Sequence, residues 1–405
     1  MTDADSCTSA SWTSATTLAC TTRLFSSSQK QIGVLISSVT GTGTGRFRID
    51  GLSFTDTNIG EAISAWTSNP VTTTSLYGPI SAWDVSGVSN LYRAFYNKPT
   101  FNDDISKWNV VSVSTFASAF SGASVFNRNI GSWNTASVSS MASTFSGAAA
   151  FNQDVGSWSV ARVTSMEFLF SECAAFNTPI GSWNTASVTN MEQALSGASA
   201  FNQMVGAWNT ASVTDMQSAF QSATAFNADI SKWNVAYVVT VASAFSGASA
   251  FNANLASWNT ASVANMLGTF QSAFAFNQNI ATWSTAAVTT TASMFQSASG
   301  FNQDISSWNV ASVSTMASMF SSTSTFNTDI GGWNVAAVST MAYMFQKAST
   351  FNGTISTWNV ASVSDMQSMF YSANSFAQDI SSWNVTRTAA LAGRAIPSPL
   401  CGACL

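Results

Sequence analysis

The chain has 405 residues, of which 13 are basic, 18 are acidic and none is histidine, so its formal net charge is −5. Only 8% of the residues are charged and 46% are apolar, so uncharged polar side chains must cover most of the surface. Basic residues this sparse form no clustered positive surface, and we therefore expect no nucleic-acid partner.

The N-terminal segment, 1–50, is rich in Ser and Thr and carries no copy of the repeat described below. Asp3 and Asp5 stand where a signal peptide would be positively charged, and no apolar stretch of roughly 7–15 residues follows, so no well-formed signal peptide is expected here. The one apolar run, 32–36, is too short to cross a membrane. Cys7 and Cys20 form either a capping disulfide in an oxidising compartment or two free thiols, and their spacing does not decide between these states.

A single repeated unit occupies most of the remaining chain. We predict an N-terminal cap over 51–75 and an array of repeats over 76–390. The dipeptide Phe-Asn recurs at every 25th residue from Phe101 to Phe351, and Trp follows the same spacing from Trp83 to Trp383. No insertion or deletion interrupts this spacing, so neighbouring units can stack in register.

Each unit combines two apolar spacings, as 301–325 illustrates. Residues 305–313 have the spacing of a leucine-rich repeat, and the alternation at Trp308 and Val310 predicts a short parallel strand with both side chains facing the core. The spacing then changes to three and four residues over 316–320, which predicts a short helix or 3₁₀ turn. One unit alone leaves its apolar layer open to water, so we predict an α/β solenoid, a right-handed coil of leucine-rich-repeat type.

Glycine follows the helical Phe or Leu by two residues in several units. A residue that readily adopts positive φ can end a helix at this point. The glycines in question are Gly122, Gly147, Gly197 and Gly247.

The run FNQDISSWNVASVSTMASMF resembles the BspA-like leucine-rich repeat surface proteins of bacteria and unicellular eukaryotes. Residues 54–85 resemble the lead-in that precedes such arrays, through Phe54, Trp66 and the Trp83-Asp84-Val85 sequence. The resemblance implies a solenoid, an extracellular or cell-surface location, and a role in adhesion or interaction. This chain has Asn or Ser where the commonest pattern of the family has Asp after Trp, so a family site that depends on that Asp is not expected to carry over.

Two polar columns are predicted to be structural. The Asn after each core Phe, from Asn102 onward, is expected to form hydrogen bonds along the array. An Asp column offers carboxylates of the kind that calcium prefers, but Asn, Pro, Met and Thr interrupt it, so we predict turn capping instead. Its members are Asp104, Asp154, Asp229, Asp304, Asp329 and Asp379.

No pattern points to catalysis, a cofactor or a metal. Histidine is absent, and the glutamates at positions 61, 167, 172 and 192 form no repeated pair with another acid, so we expect no enzyme. Cys173 replaces an Ala and is predicted to be a small core residue. Cys401 and Cys404 form one C-x-x-C in a predicted tail over 391–405, and without histidine or a second such pair we predict no zinc site.

The residue after each Trp forms the predicted interaction face. If Trp308 and Val310 point inward, the side chain of Asn309 points outward, and the array repeats it as a flat uncharged surface. This surface predicts a non-enzymatic protein that binds a protein or glycan through many weak contacts. The candidate residues are Asn109, Asn134, Asn184, Asn209, Asn234, Asn259, Asn309, Asn334 and Asn359, with Asn384 as a further member.

Two other functions fit the same surface. Regular rows of small polar groups with few charges are also typical of an ice-binding surface, and a purely structural spacer would need no ligand. Two glycosylation sequons are present. Asn352 belongs to the Asn column after Phe and is predicted to be inaccessible, so Asn384 is the predicted N-glycosylation site.

Overall fold

The computed structural model describes residues 53–388 throughout and, before them, the backbone of the strands β1 (Ser9–Ser14), β2 (Thr17–Thr21) and β3 (Gly33–Ile36). These three strands form an antiparallel sheet in the order β1-β2-β3. The predicted disulfide stays a prediction, because Cys7 and the side chain of Cys20 lie outside the described part. The predicted tail over 391–405, with Cys401 and Cys404, lies outside it as well.

Two helices precede the repeats. After strand β4 (Ser53–Thr55) come α1 (Ile59–Ser68) and α2 (Pro70–Tyr77), then a 3₁₀ turn at Ile80–Ala82 and strand β5 (Asp84–Gly87), which pairs with β4 in parallel. The α1 residues at positions 59, 62, 63 and 66 are buried at helical spacing. Helix α2 begins with proline, and the Asn69 side chain caps it by accepting the Thr72 N–H at 3.1 Å.

Side chains of this N-terminal region hold the first repeat unit. Asp56 Oδ1 accepts the backbone N–H groups of Ser89 at 2.7 Å and Asn90 at 3.0 Å. The Ser89 hydroxyl, followed by these N–H groups, lowers the pKa of Asp56. The indole N–H of Trp66 donates to Asp103 Oδ2 at 2.8 Å. The helices therefore cover the beginning of the repeat core and are fixed to it by charged hydrogen bonds.

Consecutive units pair in parallel, so that equivalent positions lie side by side. Isolated parallel bridges join the fifteenth residue of one unit to that of the next, as in Thr290 to Thr315 and Thr315 to Thr340. The seven residues that follow, 316–322 in this unit, are here called the bridge ribbon. Alternate N–H groups of the bridge ribbon donate to carbonyls of the next unit at 2.6–3.1 Å, from Met316 to Thr340, Ser318 to Ala342, Phe320 to Met344, and Ser322 to Gln346.

The bridge ribbon is neither a strand nor a helix. Ser318 and Ser322 have φ of 57° and 59°, and the N–H groups between donate three residues back, from Met319 to Met316 and from Ser321 to Ser318. A positive φ at every fourth residue turns alternate N–H groups toward the next unit, whereas a helix would direct them to its own carbonyls. The structure therefore differs from the predicted positions, since the bridges lie at Thr315 rather than at Trp308 and turns replace the predicted helical turn.

The predicted glycines occupy the second positive-φ position of this ribbon. Gly122, Gly147, Gly197 and Gly247 have φ of 71–74°. Their conformation agrees with the sequence argument, but they lie within a ribbon of turns and end no helix. Most other units place serine at this position.

The apolar side chains form continuous columns along the array. Trp308 is 3% exposed, Val310 is 1% exposed, and Phe301 and Met316 are fully buried. Stacked pairs such as Trp333 and Trp358 have ring centroids 6.4 Å apart and an interplanar angle of 2°. From Trp108 to Trp383, each indole N–H donates to a backbone carbonyl 28 residues earlier at 2.9–3.2 Å. Each buried indole is therefore both packed and hydrogen-bonded across units.

Candidate interaction face

The asparagines that follow Trp lie on the surface and form one row along the array. Asn309 is exposed between the buried Trp308 and Val310, as the alternation predicts. Its Oδ1 accepts the backbone N–H of Ala311 at 3.1 Å. An asparagine that caps the backbone two residues on stabilises a turn, so this segment is a turn and not the predicted sheet.

All ten asparagines of this face make the same bond, at 3.1–3.3 Å, and all ten are exposed. The carbonyl oxygen of each side chain is thus oriented by its own backbone. Within residues 53–388 the Nδ2 groups of these ten asparagines have no hydrogen-bond partner, so the face offers one amide donor group in each unit that carries Asn. The array brings the predicted residues together in register, with Ser159 and Ser284 in the two remaining units.

The hydroxyl groups beside this face are already used by the fold. Ser312 Oγ donates to the Ala286 carbonyl at 3.1 Å, and Ser314 Oγ donates to the Thr289 carbonyl at 3.0 Å. Equivalent serines and threonines recur in neighbouring units. These rows strengthen the contact between units and fix the position of the surface that carries Asn309.

Several large apolar side chains are exposed on this polar surface and were not predicted from the sequence; Val111, beside Asn109, is 42% exposed. Tyr237 is 66% exposed and Val239 is 50% exposed. They stand where most units have small residues, Ser or Ala for Tyr237 and Ser or Thr for Val239. Such a departure from the repeat consensus is the signal that would have identified them, because a large exposed apolar side chain has no role in the repeated core.

The Asn column after Phe is structural. Asn302 Oδ1 accepts the backbone N–H of Asn327 at 2.9 Å, and Asn327 Oδ1 accepts that of Asn352 at 2.7 Å. The series runs from Asn102 to the Ala377 N–H at 2.7–3.0 Å. The predicted hydrogen bonds along the array are present, although each amide bonds to a backbone N–H rather than to the next amide.

The Asp column caps turns. Asp304 Oδ1 accepts the Ser306 N–H at 2.9 Å, and Asn279, at the same place in the preceding unit, accepts the Ala281 N–H at 2.9 Å. Hydrogen bonds from the serine two residues on lower the pKa of Asp104, Asp229, Asp304 and Asp379. Within residues 53–388 no group of three or more His, Cys, Asp or Glu side chains is placed to hold a metal ion.

These lowered pKa values predict an acid sensitivity that asparagine removes. Each carboxylate stabilises the fold above its ordinary pKa of 3.8, and that stabilisation is lost as the pH falls through the lower folded value. Replacing Asp104, Asp229, Asp304 and Asp379 with Asn should leave urea unfolding at about pH 7 nearly unchanged and make the variant lose less stability than wild type at about pH 3. Equal losses in both proteins would contradict the capping role of the charge.

The acidic side chain of Glu192 behaves differently. Burial, followed by the negative charges of Asp215 and Glu167, raises its pKa. These carboxyls come from three consecutive units. Their mutual repulsion therefore opposes the stacking of those units at neutral pH.

The family comparison agrees with the periodicity. Matches to the family described as "Mycoplasma protein of unknown function, DUF285" cover residues 68–178, 154–255, 228–331 and 301–393. Together these overlapping matches span 68–393, well over half of the chain. The chain belongs to the DUF285 family. Each match covers several consecutive units, so this DUF285 chain is a repeat protein. Neither the curated proteins nor the solved structures contain a match to it.

Cys173 of this DUF285 protein is a core residue, as predicted. It is fully buried, and its thiol donates to the Phe145 carbonyl at 2.9 Å. Burial raises the pKa of the thiol. Thr323, at the same position in a later unit, donates its hydroxyl to the Phe295 carbonyl, so this column accepts a small side chain that bonds the preceding unit.

The two sequons differ in their hydrogen bonds. The Thr386 hydroxyl donates to Asn384 Oδ1 at 2.9 Å on an exposed turn. Asn352 is also exposed, contrary to the prediction, but its Oδ1 accepts the Ala377 N–H and belongs to the structural column. Asn384 therefore remains the predicted glycosylation site. In the part of the DUF285 chain that the structure describes, no helix is long and apolar enough to cross a bilayer.

Proposed function

We propose that this chain is a solenoid of BspA-like leucine-rich-repeat type that acts at the cell surface, or after secretion, as a non-enzymatic interaction module. Its partner is a protein or a glycan, and the contact surface is the row of asparagines after Trp. The sequence resemblance supports the surface location, and the geometry of the asparagine row supports the binding role.

The observation that carries this proposal is the fixed orientation of the exposed amides. Each Oδ1 is held by its own turn, as Asn309 is by Ala311, and each Nδ2 is free to donate to a ligand. One such contact contributes a fraction of a kcal/mol, but ten contacts spaced by whole units, with gaps only at Ser159 and Ser284, can act together. An uncharged repeating donor row suits a repeating acceptor, such as the hydroxyl and carbonyl oxygens of a glycan or an extended peptide.

Replacing Asn309, Asn334 and Asn359 together with Lys should abolish binding, because three long positive side chains move the donors away from the turns, add charge to an uncharged surface and repel one another. The matched control replaces the same three residues with Ser, which the chain itself uses at Ser159 and Ser284. This control should retain the fold and lose only part of the binding. A printed array of neutral and acidic glycans and a cell-binding assay measure binding, and circular dichroism checks the fold. Undiminished binding by a folded triple Lys variant would move the site elsewhere.

The regular hydroxyl rows favour one alternative, an ice-binding surface. Ser312 and Ser314 hold their hydroxyls in fixed positions by donating to backbone carbonyls of the preceding unit. The test is thermal hysteresis in freezing solutions of the wild-type protein. Thermal hysteresis, together with no detectable binding of the wild-type protein to glycans or cells, would favour this function over adhesion.

A further inference from the structure

Tyr237 takes a position where other units have a serine that bonds the preceding unit. In the next unit, the Ser262 hydroxyl donates to the Ala236 carbonyl, 26 residues earlier, at 2.6 Å. Four further units have the same bond. The side chain of Tyr237 carries a ring in place of this short hydroxyl. The Ala211 carbonyl, 26 residues before Tyr237, therefore lacks that donor and accepts no hydrogen bond within residues 53–388.

Two amide donors of the asparagine row lie beside this carbonyl and the ring. Asn209 Oδ1 accepts the Ala211 N–H at 3.1 Å, and Asn234 Oδ1 accepts the Ala236 N–H at 3.1 Å, one residue before Tyr237. Both asparagines are exposed, and the stacked tryptophans that precede them have ring centroids 6.0 Å apart. One small patch thus combines an aromatic ring, two oriented amide groups and a carbonyl acceptor.

The ring of Tyr237 is an apolar surface that the fold does not use. The side chain is 66% exposed, and Val239, two residues later, is 50% exposed. A sugar ring in the pyranose form has an apolar face of C–H groups and a rim of hydroxyls that both donate and accept. An aromatic ring flanked by donors and an acceptor is complementary to both features.

The charges around Tyr237 favour a neutral ligand. Lys232 is exposed in the same unit. Hydrogen bonds from Ser231, and after them the charge of Lys232, lower the pKa of Asp229, so the positive charge of Lys232 is offset within its own unit. Asp215 faces Thr240, three residues after Tyr237, across a parallel bridge and adds a negative charge. An acidic ligand would therefore gain no net attraction here.

The acceptor is local, which favours one sugar ring over a continuous backbone. In the unit before Tyr237, the Ser212 hydroxyl already occupies the Ala186 carbonyl at 3.0 Å, and in the unit after it Ser262 occupies the Ala236 carbonyl. An extended peptide that paired along the row would need acceptors for its N–H groups in consecutive units. The patch offers this acceptor at Ala211 alone among these three neighbours.

We propose that Tyr237, Asn209, Asn234 and the Ala211 carbonyl form a subsite for one neutral pyranose ring of a glycan. The phenol ring stacks on the C–H face of the sugar, the two amides donate to its oxygens, and the Ala211 carbonyl accepts one of its hydroxyls. This inference rests on the proposed binding role of the asparagine row and adds the ligand class and the position of the strongest contact.

Electrophoresis of the full chain in native gels that contain a polysaccharide tests this proposal. Mannan, galactan and dextran present neutral mannose, galactose and glucose rings, and alginate presents acidic ones. At least one neutral polymer should retard the wild-type chain, with alginate giving weaker retardation. Tyr237→Ala should weaken that binding by about tenfold or more, whereas Tyr237→Phe should retain most of it because the ring is kept.

Tyr237→Ser is the sharper variant, because the repeat itself uses serine at this position. Serine would restore the bond to the Ala211 carbonyl, as Ser262 makes it to Ala236. This variant should fold as well as the wild type in circular dichroism and still lose the binding, since it removes the ring and occupies the acceptor. A loss of binding by Tyr237→Ser therefore cannot be attributed to misfolding.

The outcomes separate this subsite from the function on which it rests. Unchanged binding by Tyr237→Ala, with binding lost in the triple Lys variant of 309, 334 and 359, would overturn the subsite and leave the asparagine row standing. The reverse pair of results would support the subsite and overturn the extended row. Retardation by alginate alone, or by none of the four polymers, would overturn the neutral-sugar assignment. Cell binding that needs Tyr237 but is lost after protease treatment of the cells would assign the ring to a protein partner.

Discussion

Replacing Trp308 with alanine should lower the free energy of unfolding by about 3–5 kcal/mol. The side chain is 3% exposed, and its indole N–H donates to the Ile280 carbonyl at 3.1 Å. Alanine would leave a cavity between units and would remove one of the two hydrogen bonds that the Ile280 carbonyl accepts, the other coming from the Trp283 N–H at 3.0 Å. Because each unit contacts only its neighbours, part of the loss would appear as local unfolding around 301–325. Chemical denaturation and hydrogen exchange measure the two effects.

Tyr237→Ala is the matched control for an aromatic side chain. Tyr237 is 66% exposed, and its removal should change stability by no more than about 0.5 kcal/mol. A Trp308 loss as small as this would contradict the assignment of Trp308 to the core.

Deletion of the whole unit 301–325 should leave a folded array, because the hydrogen bonds that join units depend only on the 25-residue spacing. After the deletion, the Asn327 N–H would meet Asn277 Oδ1 as the Asn302 N–H does now at 3.0 Å. We expect the circular dichroism signal per residue of the variant to match that of the parent protein. Its free energy of unfolding should fall only modestly.

Deletion of 301–313, about half a unit, is the contrasting variant. It would place core side chains opposite surface positions. It would also break the hydrogen bonds between units on both sides of the junction. This variant should unfold locally or aggregate, with a broad thermal transition in circular dichroism. Equal stability of the two deletions would show that the units do not stack in a fixed register.

The sequence predicted the core columns because their signal is repeated. Phe301, Trp308 and Val310 are buried and Asn309 is exposed. The 25-residue period and the alternation of apolar and polar residues predict this pattern. The turn-capping role of Asp304 was also predicted, because Asn, Pro, Met and Thr interrupt the Asp column and a calcium site needs several converging oxygen ligands.

The bridge ribbon could not be predicted in the same way. Ser318 and Ser322 have positive φ, a conformation that serine adopts rarely and that leaves no mark in the sequence. Only the glycines of a few units, such as Gly122, carried that signal, and the spacing of three and four at 316–320 is also typical of a helix. The hydrogen bonds to the next unit compensate for the unfavourable backbone, and such a tertiary effect is invisible in one unit.

The bonding between units has a mechanical consequence. Within the described array, ribbons such as 316–322 are held to the next unit by a short row of N–H donors, here from Met316 to Ser322. A force that pulls the chain ends apart would therefore load the contacts one after another rather than all together. Each unit that gives way would release one repeat, roughly 80–90 Å of extended chain, so the array would lengthen in equal steps and act as an extensible tether.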